Sequence, residues 1–229
     1  MSPSSQPTAP IPFLPPRTPS VRRALLAAAL LAATLLAGCS LVGLRSPSGK
    51  AKVVGVETGA RLSPSFPTRA YTNSDADTAD IYLTDLSAED LTALLENPGD
   101  PDVSGQLVHV HMFVRPKPGR TPIEPTAISA TVRHVIVAGG QVGLYTGAGF
   151  MFPSGTPGDK VFGGSITRAD LRLQRATPGF TDRLGPAEMT ISFAAKRDEE
   201  LSDELHRRIE LLMLAARPVE NAAHADAAP

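Results

Sequence analysis

The chain has 229 residues, with 22 Lys and Arg against 23 Asp and Glu, 42% hydrophobic residues, 5% aromatics, one Cys and no Trp. This length holds one domain with tails and a sizeable core. A net charge of -1 excludes the broad basic footprint of a nucleic-acid-binding surface. A single Cys excludes a disulfide scaffold and any multi-Cys zinc site.

The first informative segment is Arg22-Arg23 followed by Ala24–Ala37, an Ala/Leu run broken only by Thr34. A spanning helix needs roughly 20 apolar residues, so this run is short for a permanent anchor. Two bases, a short apolar run and then small residues is the pattern of a secretory signal. The run ends in Leu36-Ala37-Gly38-Cys39. Here the chain resembles bacterial lipoproteins with a type II signal peptide, whose lipobox is an aliphatic residue, two small residues and an obligatory Cys. The resemblance covers residues 22–39. It implies signal-peptidase recognition through Leu36, Ala37 and Gly38, cleavage before Cys39, and a diacylglycerol thioether with an N-acyl chain on Cys39. Two or three acyl chains hold a protein firmly, at about 0.8 kcal/mol per buried CH₂.

The leader is long, and residues 1–20 are rich in Pro. Val21 is an alternative start that gives a compact signal. The Arg pair also loosely resembles a twin-arginine export signal, although Val21 stands where that signal has Ser or Thr. Removing residues 1–38 takes Arg17, Arg22 and Arg23 from the 22 bases and none of the 23 acids, leaving a net charge of -4. A mildly acidic domain gains nothing from an anionic membrane surface, so the lipid must do the anchoring. Ser40, rather than Asp, after Cys39 leans toward the outer membrane of the cell envelope. This divides the chain into a signal and leader (1–38), a lipidated Cys and tether (39–50), a globular domain (51–217) and an Ala-rich disordered tail (218–229).

In the domain, Val53–Glu57 and Asp80–Thr84 are short strand candidates, and residues 59–78 read as loop. Ser87 caps a first helix with early acids and an apolar stripe of Leu91, Leu94 and Leu95, ended by Asn97-Pro98-Gly99. Gln106–Arg115 alternates, with Val108, Val110, Met112 and Val114 on one face and Leu107, His109, His111 and Phe113 on the other. Ile128–Ala138 and Gln141–Phe152 form a hairpin around Gly139-Gly140. Its two-residue turn sets His134 opposite Tyr145, Ile136 opposite Gly143 and Val132 opposite Gly147. Gly143, Gly147 and Gly149 share one face, which calls for bending, a bulge or the close approach of another element. Val161–Gln174 is extended, and its phase change predicts a bulge near Arg168. Glu188–Ala194 is the last strand. A second helix, 198–216, presents Leu201, Leu205, Ile209 and Leu212 on one face. The fold class is mainly β: an antiparallel β-sandwich or open barrel of about seven strands, with a short inserted helix and a C-terminal helix. The alternative is α+β, with one sheet and both helices packed on it.

His109 and His111 point the same way along a strand and are candidate zinc or copper ligands, with His134 as a third if the faces agree. His206 and His224 read as solvated. Ser165 lacks the closing Gly and following helix of a nucleophile elbow, and Gly155–Lys160 lacks the core of a phosphate loop. Asp75, Asp77 and Asp80 lie in a polar loop without the Gly and Glu of an EF-hand. Val114–Pro122 reads as a stiff basic connection. No cofactor beyond the lipid is implied. The leading functional expectation is a non-enzymatic, lipid-anchored binding or assembly module of the bacterial envelope, with the membrane and an envelope protein as partners. The alternatives are a metal protein on His109 and His111, or a pilot for an outer-membrane complex that docks through its terminal helix. Expressed in a bacterium, the wild-type chain should partition into the detergent phase and carry acyl mass on Cys39. Cys39→Ala should accumulate as an unlipidated precursor, as read by mass spectrometry of the intact protein.

Overall fold

The computed structural model describes residues 49–117, 119 and 127–219, all within one unit, Arg45–Pro229. The signal, the lipobox with Cys39, most of the tether and the tail beyond Val219 lie outside the described residues. The elements are β1 (Lys50–Gly55), β2 (Arg61–Leu62), β3 (Thr68–Thr72), β4 (Ala79–Thr84), α1 (Ala88–Glu96), β5 (Gly105–Met112), β6 (Ala130–Ala138), β7 (Gln141–Ser154), β8 (Val161–Ala176), β9 (Ala187–Arg197), α2 (Glu199–Ala215) and β10 (Arg217–Pro218).

The ten strands form one sheet in the order β10-β8-β7-β6-β5-β4-β3-β9-β1-β2, and β8 also pairs with β9. The sheet therefore closes on itself as a ring of seven strands, β3 to β9, with the short β1, β2 and β10 added at its seams. The mainly β expectation holds, but the ring is closed through β8 and β9, where a sandwich or an open barrel was expected. One pairing departs from the antiparallel rule. β3 runs parallel to β9, with Ala70 opposite Lys196 and Tyr71 opposite Arg197. β1 lies antiparallel along the earlier part of β9, from Lys50 opposite Ser192 to Gly55 opposite Ala187.

Alternation along each strand makes two apolar layers. Inside the ring lie Ile81, Val108, Val110, Met112, Val132, Tyr145, Met151, Phe162, Ile191 and Phe193. Outside it, Tyr82, Leu107, Val135, Val137, Val142 and Leu144 meet Leu91 and Leu94 of α1 and Leu205, Ile209 and Leu212 of α2. Both helices thus pack on the outer face of β4–β7. Helix α1 begins with a reciprocal capping box between Ser87 and Asp90. Asp198 caps α2 by accepting from the Leu201 N–H at 3.0 Å. Leu95, expected in the apolar stripe of α1, is 43% exposed.

The hairpin register is as the Gly139-Gly140 turn demands: His134 faces Tyr145, Ile136 faces Gly143 and Val132 faces Gly147. Both turn glycines have positive φ, 56° and 73°. The phase change expected near Arg168 is a register shift between Ile166 and Ala169. Two expectations need correcting. Residues 59–78 hold β2 and β3 rather than loop alone, because short segments gain strand form from partners distant in sequence. Order also extends past Pro218, which β10 places opposite Arg175. The Val219 N–H then donates to the Gln174 carbonyl at 2.9 Å.

Strands β7 and β8 approach closely because β7 lacks side chains there. A Cβ on Gly147 would stand 1.8 Å from the Asp170 carbonyl oxygen, and one on Gly149 would stand 2.4 Å from that of Arg168. Gly147→Ala should lower stability by about 1–3 kcal/mol or more, the cost of overpacking against backbone that cannot rotate away. Urea unfolding monitored by circular dichroism measures it.

Candidate functional site

Strand alternation settles the question of the histidine faces. His109 and His111 project outward from β5. Across the β4 ladder Asp80 stands opposite His111, and Tyr82 stands opposite His109. The Asp80 Oδ1 lies 2.8 Å from the His109 Nε2 and 2.8 Å from the His111 Nδ1. An ionised carboxylate only accepts, so each of these ring nitrogens donates, and the tautomer of both rings is set by Asp80. Tyr82 stacks on His109 with centroids 4.6 Å apart and rings 4° from parallel. Its hydroxyl lies 3.3 Å from the Nδ1 of His206 on α2. Burial tends to raise the Asp80 pKa, but the hydrogen bonds and charges of His109 and His111 outweigh it and hold the carboxyl below its usual range. Burial lowers the His109 pKa, against the pull of Asp80. Burial, with the Asp80 charge second, pushes the Tyr82 phenol up.

His134 does not join this group. It faces into the ring, opposite Val108, with the sheet between it and His109. Its Nε2 donates to the Gln106 Oε1 at 2.7 Å, and its Nδ1 is buried without a partner among the described residues. Also among the described residues, no three of His, Cys, Asp and Glu converge as metal ligands. The polar loop separates in the same way. Asp75 accepts the N–H groups of Asp77 and Thr78 at 2.7 and 2.8 Å, while Asp80 serves the histidines. His206, expected to be solvated, is exposed but edge-on to Tyr82.

A second site was not foreseen in the sequence. At the end of the ring where β6 turns into β7, a cavity of about 580 Å³ opens between three connections. Ala60, Arg61 and Leu62 come from the β1–β2 turn and β2. Ile136, Ala138, Gln141 and Tyr145 come from the hairpin. Phe180, Thr181, Arg183 and Leu184 come from the β8–β9 loop. Volumes of 300–1,000 Å³ with mainly apolar walls are typical of small-molecule sites. Phe180 is seated by Gly143, where a Cβ would lie 2.2 Å from the ring. The Tyr145 hydroxyl donates to the Asp182 Oδ1 at 2.5 Å, and the same oxygen accepts from the N–H groups of Leu184 and Gly185. That carboxylate fixes the loop forming one wall. Burial, then the Asp182 hydrogen bond, pushes the Tyr145 phenol up. The legible part of this site was Gly143, whose glycine face called for the approach of another element.

No protein-family model, curated protein or solved structure matches the chain, so the two sites are read from their own chemistry.

Complete burial lowers the His134 pKa from 6.5 to about 4. The unfolded chain takes up this proton at a higher pH than the folded one. The stability that His134 confers by staying neutral is therefore fully present above pH 6.5 and is lost as pH falls toward about 4, by roughly 3 kcal/mol. His134→Gln should flatten the stability–pH curve across this window. His109 titrates in both proteins, so its effect cancels in the difference between their urea-unfolding curves.

Proposed function

We propose that this chain is a lipid-anchored protein of the bacterial cell envelope, with the outer membrane favoured over the inner. Its barrel domain is a non-enzymatic binding module that takes a small ligand in the barrel mouth. The cavity is the observation that carries the reading. A closed ring exposes little sheet edge for a partner to pair with, and both helices already spend their apolar faces on the ring. The cavity offers instead a concave, largely apolar site with a few polar groups. The lipobox Leu36-Ala37-Gly38-Cys39 supplies the anchor, so tethering raises the effective concentration of the module near membrane-borne ligands.

The other readings have less to stand on. A three-histidine metal centre lacks His134, which faces the opposite side of the sheet. Docking through the terminal helix loses its main apolar face, because Leu205, Ile209 and Leu212 are buried against the ring, and only Leu211 and Leu214 of that helix remain as exposed leucines.

The test is native mass spectrometry of the full chain released from its host membrane. A noncovalent small molecule should accompany the wild type at 1:1 and be absent from Ala138→Trp, which fills the mouth from an exposed position. A chain that carries no small molecule but crosslinks to one dominant envelope protein would replace this reading with an assembly role.

A further inference from the structure

The walls of the cavity identify the chemistry of its occupant; this step rests on the binding-module reading. Leu62, Ile136, Tyr145, Phe180 and Leu184 give it an apolar body. Among the described residues, its only charged lining residues are Arg61 and Arg183. They arrive from separate connections, the β2 segment and the β8–β9 loop. No acid lines the site among the described residues. The carboxylate nearest in sequence, Asp182, has its Oδ1 taken by Tyr145 and two backbone N–H groups.

Several other arginines are tied down, Arg69 to the Phe66 carbonyl, Arg115 to Gly155 and Thr156, Arg133 to Glu210, Arg175 to the Ala216 carbonyl and Arg208 to Glu204, while Arg172, Arg207 and Arg217, unbonded among the described residues, do not line the cavity. Arg61 and Arg183 form no such bond among the described residues and are exposed at the mouth. Two guanidinium groups beside an apolar cavity, with no acid in its lining, complement a ligand with an apolar body and an anionic head. The planar fork of Arg suits a carboxylate, which it can hold through two parallel N–H donors. A neutral apolar ligand would leave that charge unused, and a bare small anion would leave the apolar walls uncovered.

We infer that the barrel mouth binds a single-chain amphipathic carboxylate, with the acyl chain against Ile136, Phe180 and Leu184 and the carboxylate between Arg61 and Arg183.

Equilibrium dialysis tests this with the full lipidated chain in phosphatidylcholine nanodiscs, empty nanodiscs as background, and radiolabelled laurate and dodecanol as probes. One saturable laurate per chain is expected. Arg61→Ala with Arg183→Ala should weaken laurate binding at least tenfold and change dodecanol binding by less than twofold. Ala138→Trp should remove both probes. Unchanged thermal unfolding of the variants excludes loss of the fold. Laurate binding that ignores the arginine substitutions overturns the head-group assignment while leaving the cavity reading intact. Laurate that binds Ala138→Trp as it binds the wild type overturns the location. No saturable laurate overturns the inference, and dodecanol bound in that case still upholds the cavity as a ligand site.

Discussion

The closeness of β7 to β8 is the constraint on which the architecture depends. Glycines 147 and 149 remove the side chains that would strike the Asp170 and Arg168 carbonyls, so two long strands can lie against each other and bend. Register shifts on both sides of β8 absorb the bend. With β8 turned inward, its far edge meets β9, and the sheet becomes a ring. Gly143 extends the same glycine face to the mouth, where it seats Phe180 and gives the cavity a wall. One compositional bias in one strand thus shapes both the barrel and its site.

The ring also separates two kinds of polar chemistry. Inside it, His134 is neutral and wholly enclosed, with a single partner in Gln106. Outside it, His109 is also buried, but Asp80 holds it beside a half-exposed His111 and within reach of α2. The same residue type therefore becomes a structural element on one face and part of a hydrogen-bonded surface cluster on the other. A sheet is thin enough that Val108 and His109 are adjacent in sequence yet belong to different environments.

Much of this was legible locally. Alternation in β5 assigned its two faces, the Gly-Gly turn fixed the three residue pairs named above, and the phase change in β8 located its bulge. These signals come from neighbours a few residues apart. The parallel pairing of Tyr71 with Arg197 was not legible, because Thr68–Thr72 has no alternating pattern long enough to stand out. Asp80 was noticed in the sequence, but as part of an acidic loop. Its true partners lie on β5, and only the β4–β5 register brings them together. The cavity was hidden for the same reason, since its walls come from three connections that share no motif. The face carrying His134 depended on the register of β5 with β6, which the spacing of His109 and His111 does not contain.

The position of β9 in the chain has a consequence for biogenesis. This strand supplies the partner for β1, for β3 and for the inner edge of β8, and it is the last of the ring to be synthesised. Val53 must wait for Met189 before its ladder can form. Until then the growing chain has open edges and no enclosed interior, and pairings this distant close slowly. Strand order alone thus delays ring closure to the end of the sequence.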